Sequence, residues 1–371
     1  MRHRSHVPAL LLAVVALAGL ASDAWGQRRG RAEQPSARTA PVPAGAEWID
    51  VHAHVIPDRA TMDYRGAVSQ ALAAMDEAGI AKVVVLPPPQ PTRGSDNTEI
   101  DGFVTALVPR ARFAAIGGGG TLNAMIQETP PAAVDEAVRR RFEERAEAIL
   151  KLGAIGFGEI TAHHVSILPT HPYESVPADH PLLLLLADIA AKRGVVIDFH
   201  FDVVLEDMRT PDFLAVPPNP ASFRPNVAGF ERLLAHNRDA RIVWAHAGSD
   251  ILGWWTVDLS RRLLAAHPNL YMSLRMVPGR APQNHPVESG GAGLKPEWLA
   301  LLAAFPDRFV IGGDQFFVAA SVRGGSAVQF AQRAPIVRER TRAFLGMLPP
   351  ELARKIALDN ARRIYKLEGG S

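Results

Sequence analysis

From Glu47 onward, short runs rich in Val, Ile, Leu and Phe recur, each followed by a segment whose apolar residues return every three to four positions. The runs read as buried strands and the intervening segments as amphipathic helices. Eight strands are expected, at 48–51, 82–86, 113–116, 154–160, 195–200, 241–246, 270–274 and 309–313. Good amphipathic helices are expected at 66–79, 132–152, 181–193 and 254–267. Gly79, Gly153 and Gly194 stand where a helix must stop before a strand, the place of a left-handed cap. Eight such units over 46–368 fit an α/β fold, a (β/α)8 TIM barrel with long loops at the C-terminal face of its strands. A doubly wound sheet is the second architecture compatible with the pattern.

Composition narrows the setting. At 371 residues and 47% hydrophobic, the chain can build one large domain or two smaller ones. Arg2 and Arg4 precede an apolar stretch from Val7 to Leu20, and Ala24-Trp25-Gly26 follows. Residues 1–26 therefore read as a signal peptide cleaved near Gln27, with an uncleaved anchor as the rival. Residues 27–45, rich in Arg, Pro, Ala and Gly, read as a flexible linker. An exported protein, periplasmic or secreted, with no stable membrane insertion after cleavage, is the expectation. There is no cysteine, so neither disulfides nor a lipid anchor is available. Five arginines against Asp23 give the first 31 residues +4, so the rest carries about −2 of the total +2. The body of the chain thus has no nucleic-acid footprint.

A barrel places its chemistry at the C-terminal ends of the strands, and polar residues gather there. His52 and His54 end the first strand, two residues apart and so on one face. Glu159 lies in the fourth, His200 ends the fifth, His246 ends the sixth, Arg275 follows the seventh and Asp314 follows the eighth. His52, His54, His200 and Asp314 offer three nitrogens and one oxygen and leave a position for water, a donor set suited to Zn, Mn, Fe or Ni. Such a metal brings the pKa of water towards about 7. His246 fits either an acid/base role or a second metal. Glu159 fits either a bridge between two ions, with His200 and His246 on the second, or a core-edge acid paired with a loop arginine. One or two ions are therefore open.

The motifs Ile49-Asp50-Val51-His52-Ala53-His54, Ile197-Asp198-Phe199-His200, Trp244-Ala245-His246-Ala247-Gly248, Gly312-Gly313-Asp314 and Asn360-Ala361-Arg362-Arg363-Ile364-Tyr365-Lys366-Leu367 resemble the amidohydrolase superfamily. More narrowly, they are similar to its amidohydrolase-related branch, which includes the aminocarboxymuconate-semialdehyde decarboxylase group. The resemblance implies that His52, His54, His200 and Asp314 hold metal, most readily Zn, and that His246 and Asp314 are catalytic. It implies a structural role for the closing motif. Gln315 and Phe316 depart from the turn many relatives have after the aspartate, and Gly156-Phe157-Gly158-Glu159-Ile160 looks more like the glutamate-bridged binuclear members.

Other residues bear on the substrate, expected to be a small molecule. Arg275 could hold a substrate carboxylate, with a loop salt bridge as its plain alternative. Trp254 and Trp255 could wall an apolar substrate, or simply pack. His163 and His164, close after Glu159, could line the pocket, with ordinary loop histidines as the plainer reading. Asp198 shares a face with His200 and suits a partner that fixes a ligand imidazole, with a buried acid paired to a barrel lysine or arginine as the rival. The loops at 201–228 and 276–296 are long enough to form a lid. Three functions compete: a metal-dependent hydrolase of amides, esters or lactones; a metal-dependent non-oxidative decarboxylase of a carboxylated aromatic or unsaturated acid; and a periplasmic binding protein without catalysis. A homo-oligomer is compatible with the apolar helix surface near 182–186.

Overall fold

The computed structural model describes residues 47–367 apart from residues 59, 94–98, 170 and 278; the expected leader (1–26) and linker (27–45) lie outside the described residues. Eight parallel strands follow one another: Trp48–Ile56, Ile80–Val85, Phe113–Ala115, Gly156–His164, Val196–Phe201, Arg241–Ala247, Leu270–Leu274 and Phe309–Ile311. The eighth returns to the first through Asp50 opposite Ile311. The third closes the ring in two pieces, Phe113–Ala115 against the second strand and Gly117–Gly118 against the fourth. A sheet closed on itself is a barrel, and the doubly wound alternative falls away.

Helices cover the outside. Tyr64–Ala78, Glu136–Lys151, Pro181–Arg193, Val227–His236, Val257–Ala266, Pro296–Ala304 and Ser326–Met347 each follow a strand in the chain. Gly79 (φ 75°) and Gly194 (φ 62°) end their helices in the left-handed conformation. Their N–H groups satisfy carbonyls of the last turn, at Met75 and at Ala190 and Ala191. Two expected helices start later than their apolar period indicates, because side-chain caps set the boundary. Asp135 accepts from Val138 N, so that helix begins at Glu136, and Thr256 accepts from Leu259 N, so the other begins at Val257. Between the second and third strands only the short helix Ile100–Phe103 and two 3-10 turns are described. Among the described residues no helix is long and apolar enough to cross a membrane.

One end of the barrel is sealed. Ile49, Val84, Val196, Val243 and Val310, from five different strands, form a buried cluster with Ile364 and Tyr365 of the last helix, Asn360–Tyr365. Asn360 pins that helix by donating to the carbonyls of Pro306 (2.8 Å) and Phe309 (2.9 Å). Charged chemistry is thereby left to the opposite end. There, residues 202–226 carry a two-residue hairpin, Met208–Arg209 with Ser222–Phe223, and residues 275–295 carry a bridge between Val287 and Leu294.

Candidate metal centre

The first strand runs to Ile56, beyond its expected end at 51, so His52 and His54 lie inside it, fully buried. Three strands break register beside a polar residue: between Asp50 and Ala53 around His52, between Phe157 and Ile160 around Glu159, and between Trp244 and Ala247 around His246. Such irregularities re-aim a side chain without ending the sheet. His246 (φ 75°) and Asp314 (φ 50°) also hold left-handed backbone that non-glycine residues rarely adopt. Strain of this kind persists only where its surroundings enforce it, and it concentrates at functional sites.

Glu159 is the hub. Its Oε2 faces His52 Nε2 at 3.5 Å and His54 Nε2 at 3.6 Å. Its Oε1 faces His200 Nδ1 at 2.7 Å and His246 Nε2 at 3.3 Å. Each carboxylate oxygen thus serves one histidine pair. Two groups are able to bind a divalent ion, His52 with His54 and Glu159, and Glu159 with His200 and His246, their donor atoms within 4.8 Å of one another in each. Asp314 joins the first side, its Oδ1 3.3 Å from His54 Nε2 and 3.9 Å from His52 Nε2. Of the two places open to His200, beside His52, His54 and Asp314 or with His246 across a bridging glutamate, it stands in the second.

Neighbouring groups orient these side chains. Asp198 Oδ2 and Leu86 O lie 3.1 and 3.0 Å from the Nδ1 atoms of His52 and His54. Donation from Nδ1 to these acceptors leaves each Nε2 lone pair directed at the centre. Asp198 therefore holds a histidine, and the one it holds is His52 rather than its strand neighbour His200. His52 Nε2 and His246 Nδ1 are buried with no hydrogen-bond partner, as donors short of a ligand would be. Asp50 fixes the eighth-strand turn: its Oδ1 accepts from His52 N (3.1 Å) and Gly313 N (2.8 Å), and its Oδ2 accepts from Gln315 Nε2 (2.5 Å). Arg275 donates across 3.0 Å to Asp314 Oδ2, the salt bridge that was its plain alternative.

The charges support one another. Burial opposes the charged form of His52, but Asp198 and Glu159 outweigh it and lift its pKa well above the ordinary value. Burial likewise opposes charge on His200, yet Asp202 and Glu159 push it up to about 10. Burial would keep Glu159 neutral, and the charge of His52 with hydrogen bonds from His200 and His246 overrules it, holding the acid well below its usual range. Asp314 is held low in the same way, against burial, by Arg275 first and His54 next. His246 is shifted down, burial outweighing its bond to Glu159. Anionic carboxylates among imidazoles form a donor set in which a cation can replace protons.

Comparison with known proteins bears on this geometry. The Amidohydro_2 model, described as amidohydrolase, matches residues 49–367. The chain belongs to that amidohydrolase family. No curated protein matches it. Among solved structures it is similar to dihydroorotase from Campylobacter jejuni, with 15% identity, 87% of this chain and 84% of that chain covered, and a TM-score of 0.44. A protein from Agrobacterium tumefaciens gives 17%, 88%, 96% and 0.46. An amidohydrolase from Burkholderia multivorans with bound zinc gives 14%, 86%, 99% and 0.44.

In this amidohydrolase family member the centre opens into a cavity of about 700 Å³, which His54, Glu159, His200, His246, Arg275 and Asp314 help to line. Trp254 is not among the lining residues. It packs behind the wall beside Leu252 and Phe223, its Nε1 3.1 Å from Met208 Sδ, while Ile251 of the same connection reaches the cavity. Trp255 stacks on Trp244 at 3.7 Å and is likewise packing. Of the two long connections, 201–228 contributes Pro217 and Pro218 to the lining, and none of the described residues of 276–296 joins them.

His164, open to a place in the pocket or in an ordinary loop, is buried in the fourth strand and lines the cavity, its ring 4.5 Å from that of His200. Two residues at the site escape sequence reasoning: His171, its ring 4.4 Å from that of His164, and Asp202. Asp202 Oδ2 lies 3.4 Å from His200 Nε2 and accepts from Val165 N at 2.8 Å. The one available signal is spacing: Asp202 stands two residues beyond His200, as His54 stands beyond His52.

Proposed function

We propose that the protein is a metal-dependent hydrolase with a two-ion centre, acting on an amide, ester or lactone carbonyl of a small molecule. The observation that carries this reading is the division of Glu159, one oxygen to His52 and His54 and the other to His200 and His246. A glutamate so placed suits a bridge. Imidazole and carboxylate donors favour zinc among the available ions, with manganese, iron and nickel behind it. Divalent ions in such a centre supply Lewis acidity, polarising a carbonyl oxygen and making water more acidic.

The protein's own groups do the rest. Arg275 keeps Asp314 ionised, so its Oδ1, facing the His52 and His54 side, can accept a proton from the attacking water and return it to the leaving nitrogen or oxygen. Asp198 and the Leu86 carbonyl fix the tautomers of His52 and His54 throughout. His246, buried and shifted towards neutrality, keeps an imidazole available on the other side of Glu159. Decarboxylation, the chemistry of the decarboxylase group within the same branch, needs one ion and gives Glu159 no bridging task. In this reading the leader exports the enzyme.

The test is metal counting joined to turnover. The purified protein, stripped and reloaded with zinc, is expected to hold about two equivalents, and Glu159→Gln about one. Wild-type protein should hydrolyse members of an ester, lactone and amide panel, and Glu159→Gln should lose at least about a hundredfold in kcat. Release of CO2 from a carboxylated aromatic acid would overturn the assignment in favour of decarboxylation. Two bound ions without turnover of any panel member would favour a binding protein.

A further inference from the structure

The cavity above the centre is unusual in what it withholds. Eight of its lining residues are prolines, carried by the connections after the first, second, fourth and fifth strands. Their fixed backbone makes a preformed wall. Phe316 and Phe330 lie 5.1 Å apart, and Phe316 packs against His54 at 4.5 Å. Ile56, Met62, Ile167 and Ile251 complete an apolar rim.

Charge is scarce there. Apart from the histidines and carboxylates of the centre, Arg275 is the only lining side chain, among the described residues, with a full formal charge. Its Nη2 is engaged by Asp314 Oδ2 at 3.0 Å, so part of its charge is already spent on the centre. His171, beside Phe330, is pushed down to about 4 by burial and by the charge of His200, so it offers a neutral imidazole. Among the described residues, the wall away from the centre offers a carboxylate no counter-charge to offset the water it would lose.

Building on the hydrolase reading, we infer that the substrate is a neutral, ring-bearing ester, lactone or amide with an apolar body, held between the Phe316 and Phe330 side and the proline wall. Its reactive carbonyl faces Glu159 and Asp314, and no carboxylate is carried on the ring. Arg275 then serves Asp314 alone and takes no part in holding a substrate anion. Aromatic rings and prolines suit a flat body, and about 700 Å³ is within the range that accommodates a small-molecule ligand.

A matched pair tests this on the zinc-loaded full chain: dihydrocoumarin and the same lactone bearing a carboxylate on its benzene ring, away from the carbonyl. The neutral lactone should have a kcat/KM higher by about thirtyfold or more. Phe330→Ala should lower the neutral value by roughly tenfold. Ile251→Arg, which adds a cation to the described wall, should narrow the preference by about tenfold or more. Calorimetric titration of the same pair reads the ranking even without turnover, so failure of the hydrolase reading and failure of this inference are distinguishable. Equal or better use, or tighter binding, of the carboxylated lactone by wild type would overturn it. So would a neutral preference that neither substitution changes.

Discussion

Two carboxylates beside the centre act through other side chains, and each can be tested on its own. Asp198 touches His52 Nδ1 at 3.1 Å and is itself wholly buried, so its contribution is the tautomer and aim of one histidine. Asp198→Asn keeps the shape and removes the charge. Zinc affinity on the His52 and His54 side should fall about 10–100-fold, as read by competition with a chromophoric chelator. An unchanged affinity would leave Asp198 as core filling. Arg275 presents the second case, because one guanidinium could serve either Asp314 or a substrate anion. Arg275→Gln should lower kcat by about 10–100-fold with KM nearly constant if it works through Asp314. A change confined to KM would return Arg275 to substrate binding.

Strand and helix positions were legible where one physical signal dominated. Left-handed glycines ended the helices at Gly79 and Gly194, and the Leu270–Leu274 strand has the limits its apolar run defines. The first and fourth strands proved longer than expected because the residues that extend them, His52, His54, His163 and His164, are polar yet buried. Hydrophobicity alone cannot register a buried imidazole. His52, His54, Glu159, His200, His246 and Asp314 were all visible as polar strand ends, but which histidine faces which depends on register breaks and on left-handed φ at His246 and Asp314. Those are set by tertiary closure, as is the pairing of Asp198 with His52 across 146 positions. Trp254 stayed open between wall and packing for a related reason: one position in a loop decides between facing the cavity and packing behind it.

One join between elements lends itself to a pH experiment. Glu174 ties the fourth strand to the helix Leu122–Glu128, accepting from Asn123 Nδ2 at 3.1 Å and from the Thr161 hydroxyl. Burial pushes its pKa up to about 7 from 4.5, the bonds from Thr161 and Asn123 offsetting only part of the rise. Between those two values the folded protein keeps a proton that the unfolded chain has released. The contribution is therefore complete below pH 4.5, declines as pH rises towards about 7, and is absent above it. Its size is on the order of 3 kcal/mol. In metal-stripped protein, the urea midpoint of wild type relative to Glu174→Gln should fall over that window and level off above it. A constant difference between the two would show that Glu174 is already ionised.

For the whole barrel, the centre is a tie between distant parts of the chain. Its donors come from the first, fourth, fifth and sixth strands and from the turn after the eighth, residues that an unfolded chain cannot hold together. An ion bound only by the folded state stabilises it by about 4 kcal/mol when present at a thousand times its dissociation constant. In a domain of this size each kcal/mol is worth roughly 1–2 °C. Chelation should therefore lower the thermal midpoint by about 6 °C per tightly held ion, and stepwise return of zinc should restore it over two equivalents. With Glu159→Gln the recovery should stop at the first, because the remaining histidine pair has lost its shared carboxylate. Asp198→Asn should keep both steps and shift the weaker one to higher zinc, since it alters only the hold on His52. A midpoint indifferent to chelator and zinc would mean that the buried histidines and carboxylates satisfy one another by protonation alone, as the raised His52 and His200 and lowered Glu159 allow in the metal-free state. The two states also differ in acid. Protons compete with an ion for the same imidazoles, so the zinc-induced rise should shrink as pH falls from 8 to 5, whereas a purely proton-satisfied cluster would show no zinc-dependent rise at either pH.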